Sequence, residues 1–401
     1  MGRAKAEMME AEERGWYEPD GYVCAECIED AFLKDVIQQH ASHRLCDYCG
    51  RRTRAKSAAP VAVLMEHIGK AVAYHFEEPT QAGVPYEQGW LVEPTDTYDV
   101  LMALPLDCHE KLFEDIAQAF TNTAWAPAAG GHWMSSHPHE ELSALWNSFV
   151  NIIKHEVRFF FHRAPSAKPD HPWEPDPRRI LRTIGDLAKR MTLVRQVSAG
   201  LPLFRVRARE EGATWEIDAD QMGAPPAELA RAGRMNPAGI SYLYLAFEQE
   251  TALAEVLSGP PCAVAIAQFT TQRELHVLDL TNLPEEPSIF DESRRDEREA
   301  LLFLERFVDA ISQPVRKDGG EHIGYVPSQV VCEYFALVFQ VPHHRALDGI
   351  VYPSAVRPGG RNLVLFPTAR GFGRDFDQVA YQDAWDQSFP DWAAFTAALN
   401  T

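Results

Sequence analysis

The chain is 401 residues long, more than one typical domain holds, and its 46% hydrophobic and 24% charged residues fit a folded chain rather than a disordered one. Lys and Arg total 38 against 58 Asp and Glu, and the formal net charge of -20 argues against a protein that coats nucleic acid or lies on anionic lipid. No run of 18 apolar residues suggests a membrane span, Met1 to Arg14 lacks the apolar core of a signal peptide, and seven Cys are too few for a disulfide scaffold, so the cytoplasm is the expected compartment.

Residues 1–16 are charged and poor in apolar positions, and are expected to form a frayed helix or a disordered lead. Residues 17–56 hold two C-x-x-C pairs, Cys24-Ala25-Glu26-Cys27 and Cys46-Asp47-Tyr48-Cys49, with 18 residues between them. That spacing makes two tight knuckles which bring four thiolates around one tetrahedral Zn2+ ion. A site closed by Cys24, Cys27, Cys46 and Cys49 leaves no open position for chemistry, so the segment predicts a structural zinc ribbon. His43 is nearby, but four Cys suffice. Arg51, Arg52, Arg54 and Lys56 follow and are expected to be a solvated charge run rather than a face for phosphates. Ser57 to Pro60 reads as a linker.

Residues 61–199 predict an all-α middle domain. Val63, Leu64, His67, Ile68 and Val72 recur at helical spacing, as do Leu112, Phe113, Ile116, Ala117 and Phe120. The longest periodic run, Glu140 to Phe161, predicts one helix with Leu142, Leu145, Trp146, Phe149, Ile152 and Ile153 on one face. Ile180 to Val197 predicts another, and Ala124 to His139, rich in Pro and Gly, predicts a loop. His155, Arg158 and His162 stand a turn apart on the long helix. Arg158 and His162 are similar to the Arg-spacer-His motif of HEPN ribonucleases, with three spacer residues where that family has four to six. The simpler expectation is an ordinary polar face. His132, His137 and His139 crowd the loop and form a second candidate metal group.

After Gly200 the pattern turns to α+β. Strands are predicted at Leu203–Arg207, Tyr242–Leu245, Cys262–Ile266, Leu275–Leu280, Gly349–Tyr352 and Asn362–Phe366, with helices at Glu248–Leu257, Glu297–Ile311 and Ser328–Val338. The tail, residues 376–401, carries Trp385, Phe389, Trp392 and Phe395, which predicts that it docks on a domain.

The block from 200 to 375 holds the chemistry. It opens on Pro202-Leu203-Phe204-Arg205-Val206-Arg207. A turn, Gly233-Arg234-Met235-Asn236-Pro237-Ala238-Gly239, leads to a strand with Tyr244 and a helix carrying Glu255. Tyr352-Pro353-Ser354 precedes Asn362-Leu363-Val364-Leu365-Phe366. Arg205, Arg207 and Arg234 can grip a pyrophosphate with forked hydrogen bonds, and strand alternation puts Arg205 and Arg207 on one face. Tyr244 offers a ring to stack and a hydroxyl, Glu255 a carboxylate to stabilise an oxocarbenium ion, and Ser354 a hydroxyl to position an amide or a ribose. No Gly-rich fingerprint follows a strand, which argues against a dinucleotide-binding dehydrogenase. Asn362 is expected to belong to the strand rather than to the chemistry. Gln329 and Glu333 are expected to pack.

These elements, in this order, resemble the RES domain, named for its Arg, Glu and Ser, and the helical region resembles the HEPN-type domain that accompanies some RES domains. The resemblance implies an ADP-ribosyltransferase-like split β-sheet that cradles NAD+. It implies Arg234, Tyr244, Glu255 and Ser354 as catalytic positions, and Arg205, Arg207, Arg234, Tyr244 and Ser354 as contacts to NAD+. It further implies an NAD+-consuming enzyme, acting by hydrolysis, phosphorolysis or ADP-ribosylation of a target, as a growth-inhibiting toxin or anti-phage effector with an Xre-type antitoxin as partner. A ribonuclease or nucleic-acid module built from the ribbon and the helices is the competing expectation.

Overall fold

The computed structural model describes residues 3–163, 176–209, 216–257, 259, 262–313, 321–341, 346–367 and 377–399. The expected boundary at residue 375 lies outside them. Contacts divide the chain into two compact units, Met1–Glu141 with Glu285–Leu302, and Leu142–Pro284 with Phe303–Thr401. No described helix is long and apolar enough to cross a membrane.

The first unit begins with α1 (Arg3–Arg14), a helix that buries Ala11. Next come β1 (Tyr22–Cys24), α2 (Ala31–Gln39), β2 (Ala58–Pro60), α3 (Ala62–His75), β3 (Phe76–Glu77), β4 (Thr95–Asp96), α4 (Thr97–Ala103), α5 (Glu110–Ala119) and β5 (Ala124–Pro127). Asp30 and Asp96 cap α2 and α4, accepting from Leu33 N and Asp99 N at 2.9 Å each. Leu33, Val36 and Ile37 of α2 share a core with Leu64, Met65, Ile68 and Val72 of α3, as the helical spacing requires. The expected linker at Ser57–Pro60 is instead strand β2, antiparallel to β1, with Ala58 and Ala59 fully buried. Two alanines fit beneath packed helices where larger residues would not, and Pro60 ends the strand where no N–H is needed. The expected loop at Ala124–His139 starts as strand β5, which joins β3 and β4 and buries Trp125; its indole donates to Thr97 Oγ1 at 2.9 Å.

Helix α6 (Pro138–Asn151) runs on into a π-turn at Ile152–Glu156, closed by Val157 N donating to Ile152 O at 2.9 Å. Val157 is extended, so the helix expected to reach Phe161 stops here. The wide turn rotates the apolar face and buries Ile152 and Ile153 together. Helix α7 (Ile180–Arg190) also ends early, because Thr192 adopts a left-handed φ of 54° and the chain turns into β6 (Val194–Val197). Gly185 lets α7 approach closely: a Cβ there would lie 2.6 Å from the Tyr334 hydroxyl.

The second unit continues with β7 (Pro202–Arg209), α8 (Ala219–Met222), β8 (Leu243–Ala246), α9 (Gln249–Val256), β9 (Cys262–Thr271) and β10 (Leu275–Asp279). It ends with α10 (Arg295–Ser312, begun in the first unit), α11 (Glu321–Gly324), α12 (Val326–Leu337), β11 (Gly349–Pro353), β12 (Arg361–Leu365), β13 (Val379–Phe389) and α13 (Trp392–Leu399). Among the described residues the strands form a mixed eight-stranded sheet, ordered β13-β9-β7-β8-β12-β11-β10-β6, with β10 and β11 parallel. β7 pairs with β9 along its length, from Pro202↔Thr270 to Arg209↔Ala263, but meets β8 at the single pair Phe204↔Ala246. One sheet face packs Leu203, Leu243, Leu245, Val277 and Leu363 with Met222 of α8. The other packs Val206, Val264 and Ile266 with Leu253 of α9 and with Phe389 and Phe395. The tail therefore supplies an edge strand and a helix, with Trp392 left 61% exposed.

Candidate functional site

Cys24 ends β1, and a 3-10 turn at Ala25–Cys27 brings Cys27 alongside it. Gly50, at a φ of 69°, lets the second knuckle close through Gly50 N and Cys46 O, 3.1 Å apart. The sulfurs lie 3.8 Å apart for Cys24–Cys27, 3.6 Å for Cys24–Cys49 and 3.7 Å for Cys27–Cys46. A tetrahedron with ~2.3 Å metal–sulfur bonds has edges of about 3.8 Å, so the set is compatible with zinc. Burial pushes the Cys24 thiol up to about 11. Burial also acts to raise Cys46, but N–H groups of Cys49, Tyr48 and Cys24 outweigh it and bring that thiol down to about 7. His43 stays outside, its ring against Tyr22 and its Nδ1 3.1 Å from Ser42 Oγ.

In the second unit a cavity of about 190 Å³ opens beside the one-pair junction of β7 and β8. Arg205 of β7, Tyr244 of β8, Glu255 of α9, Tyr352 of β11 and Asn362 of β12 line it. Glu255 Oε1 accepts from Ser354 Oγ at 2.8 Å and from Asn362 Nδ2 at 2.6 Å. Ser354 is itself fixed: its N donates to Gly360 O at 2.8 Å and its Oγ accepts from Arg357 N at 3.1 Å. Glu248, just before α9, accepts from Arg361 N at 2.9 Å and Arg361 Nε at 3.0 Å, which ties the start of the helix to β12. Burial works to raise the Glu248 carboxyl, but these bonds bring it below the ordinary carboxylate value.

The Gly233–Gly239 turn is held from within. Asn236, 4% exposed, donates through Nδ2 to Arg231 O, Pro237 O and Ile240 O at 3.0, 3.0 and 2.9 Å, and its Oδ1 accepts from the Tyr244 hydroxyl at 2.7 Å. Only a residue without Cβ fits at Gly233, where a Cβ would lie 2.6 Å from Asn236 Oδ1. Gln329 Nε2 donates to Gly233 O at 2.8 Å, so it packs, as expected, against this turn. Burial raises the Tyr244 and Tyr352 hydroxyls, and Glu255 adds to the shift at Tyr352. Burial and the neighbouring Arg207 draw Arg205 down to about 10, still charged at neutral pH.

The structure thus brings Arg205, Tyr244, Glu255 and Ser354 together. Arg207 donates to Gln221 O, and Arg234 donates to Ser312 O at the end of α10; neither lines the cavity. Tyr352 and Asn362 were not read as site residues from the sequence. Tyr352 lies two strand positions before Ser354, which is the signal that places them on one face. His155, Arg158 and His162 are all exposed, and Arg158 lies past the end of the π-turn, so they share no helical face. The loop histidines also separate. His137 Nε2 is 3.0 Å from His75 Nδ1, His139 Nδ1 is 2.6 Å from Glu299 Oε2, and His132 Nδ1 accepts from Met134 N at 3.1 Å. Among the described residues, only the four cysteines form a group of three or more His, Cys, Asp or Glu side chains able to hold one ion.

Residues 202–389 match the family model described as RES domain, and residues 39–167 match the one described as HEPN/RES N-terminal domain 1. The chain is a RES-domain protein that carries this N-terminal domain. The first match extends through β13, and the second includes Cys46 and Cys49 but not Cys24 and Cys27. No curated protein matches the chain, and no solved structure does.

Proposed function

We propose that the RES domain breaks the nicotinamide–ribose bond of NAD+, as a glycohydrolase or phosphorylase. The observation that carries this is Glu255 at the cavity beside the opened β7–β8 junction, with Ser354 and Asn362 both bonded to one of its oxygens. The single residue pair that joins β7 to β8 supports reading the sheet as ADP-ribosyltransferase-like and split at this point. At about 190 Å³ the cavity is smaller than the roughly 300–1,000 Å³ of a typical ligand site. It would take the nicotinamide ribose half and leave the adenosine half on the open surface.

When the C1–N bond breaks, its electron pair returns to the nicotinamide ring and neutralises the pyridinium, so the leaving group needs no proton. Positive charge then grows on the ribose, where Glu255 stabilises it. Tyr244 stacks, Ser354 holds both the carboxylate and the nicotinamide side, and Arg205, whose Nη1 donates to Gly223 O at 2.5 Å, would meet a phosphate by exchanging that carbonyl for it. Arg234 would contribute by exchanging the Ser312 carbonyl for a phosphate, and Arg207 lies next along the same strand. Water as acceptor gives ADP-ribose and a proton; inorganic phosphate gives a ribosyl phosphate; a protein side chain gives an ADP-ribosylated target. In a cell such turnover inhibits growth, which suits a toxin restrained by an Xre-type antitoxin or an anti-phage effector. A zinc ion on Cys24, Cys27, Cys46 and Cys49 would staple the N-terminal unit.

The test is nicotinamide release by purified protein, with and without phosphate. Glu255→Gln should lower the rate by roughly 100- to 1,000-fold. Intact NAD+ in the presence of well-folded parent protein would falsify the proposal, while labelling of a protein by tagged NAD+ without free product would move it to the transferase alternative.

A further inference from the structure

The charge run after the second cysteine knuckle differs from a plain solvated face. Between His43 and Ser57 the chain carries Arg44, Arg51, Arg52, Arg54 and Lys56 against Asp47 alone. Asp47 is engaged, accepting from Tyr22 N at 2.7 Å. Arg51 lies 3.5 Å from Glu26, while among the described residues Arg44, Arg52, Arg54 and Lys56 have no carboxylate within 4.0 Å. In a chain of net charge -20, carboxylates are abundant, yet this edge turns its cations away from them. The edge is also ordered. Leu45 and Arg52 form a β-bridge, Thr53 N donates to Arg44 O at 2.9 Å, and Ser57 N donates to His43 O at 2.8 Å.

Two more features adjoin the cations. The Tyr22 and His43 rings pack with centroids 3.4 Å apart, and His43 is exposed. A cavity of about 290 Å³ lies between Gln38, Arg51, Thr53 and Lys56, with apolar walls from Cys24 and Ala41 and one carboxylate, that of Glu26, which Arg51 pairs with. We propose that this edge binds single-stranded nucleic acid. Arg forks and Lys56 would take the phosphates, the His43 face would stack a base, and the cavity would accept another. An acidic peptide would match the cations but would leave the ring face and the cavity without a ligand. The net charge repels polyanions from the molecule at large, but at physiological salt the field decays over ~8 Å, so the local cations govern contact. Nothing here depends on the chemistry proposed for the RES cavity.

The experiment uses the full chain with its metal content measured. Fluorescent single-stranded RNA and DNA 12-mers and an oligoglutamate of the same length are titrated by anisotropy at several salt concentrations. Either strand should bind, with log K falling against log salt at a slope of roughly -2 to -3, as three or four phosphate contacts give. The combined Arg44→Glu, Arg52→Glu and Arg54→Glu variant should lose at least about 30-fold with its metal content unchanged. His43→Ala, a milder change that keeps the backbone bridge to Ala58, should lose about 5-fold or more. The tighter of the two strands names the source. No binding at low salt, equal binding of oligoglutamate, or affinity untouched by both variants would overturn the proposal.

Discussion

Glu255 stands on the exposed side of α9, yet Ser354 and Asn362 hold one of its oxygens at 2.8 and 2.6 Å. Two donors on Oε1 fix the carboxylate plane, and Oε2 takes neither bond. Asn362→Ala should therefore lower kcat by about 10-fold, ~1.4 kcal/mol, with a smaller change in KM. Asn362→Asp is the sharper probe. It would set a second carboxylate against Glu255, and two such groups share a proton rather than ionise together. The acid limb of the pH–rate profile should move up by about 1 unit or more. An unmoved profile in a folded variant would reduce Asn362 to a packing role. Tyr244, Glu255 and Ser354, which the structure brings together, each sit in a short local pattern of the sequence, as does Arg234, which instead donates to Ser312 O away from the cavity. The part played by Asn362 has no such pattern. It arises from the register Tyr352↔Asn362 and Asn362↔Ala246, which sets β12 between β11, its neighbour along the chain, and β8, which is distant in sequence.

At the scale of elements, α9 matters as the platform for Glu255, and Glu248 moors it. Removing that carboxylate strands the Arg361 fork and the Thr251 hydroxyl, which donates to it at 2.9 Å. Glu248→Ala should cost about 1–2 kcal/mol in urea unfolding and lower NAD+ turnover with it. A stable variant with full turnover would show that α9 does not need this anchor. In the other unit the cysteine knuckles tie the end of β1 to the turn that leads into α2, and Cys24, Cys27 and Cys46 sit in the same core as Leu33, Val36 and Ile37. If the group holds zinc, a chelator or Cys27→Ser should lower the temperature at which the first unit melts, a shift that calorimetry resolves and that added zinc reverses. Helices with three-to-four spacing and strands rich in β-branched residues were legible. The exceptions share a cause. β2 is only Ala-Ala-Pro, without a hydrophobic period, and becomes a strand because β1 offers it a partner. The run from Ile180 to Val197 carries helical spacing throughout, but Thr192 turns the chain and β10 captures Val194–Val197 as an edge strand. Local pattern cannot report a partner supplied from elsewhere in the fold.

Over the whole molecule, sequence order and compact units diverge. Glu285–Leu302 falls within the matched RES segment, yet its contacts belong to the first unit, where Glu299 meets Tyr74 and His139. Such a discontinuity leaves no mark in composition. It gathers a half-buried polar network whose protonation should govern acid stability. Burial, then His137 and Arg298, lower His75 to about 4, and burial lowers His137 as well. The unfolded chain protonates these rings near pH ~6.5, while the folded chain keeps His75 neutral until about 4. Between those values the unfolded state binds more protons, so stability must fall as the pH drops through that window. Below it a second loss begins. Burial would raise Glu299, but hydrogen bonds from His139 and Tyr74 hold it under its ordinary value, as the Arg361 bonds hold Glu248. Stability from these two carboxylates is present above the unfolded value near ~4.3 and disappears as pH falls through their folded values. The urea midpoint should therefore decline from pH 6.5 toward 4 and drop further below it. His75→Gln should flatten the upper part of that decline and leave the lower part in place. A parent midpoint constant from pH 6.5 to 4.5, or a His75→Gln profile parallel to the parent's, would show that the neutral histidine pair does not set the acid limit of the fold.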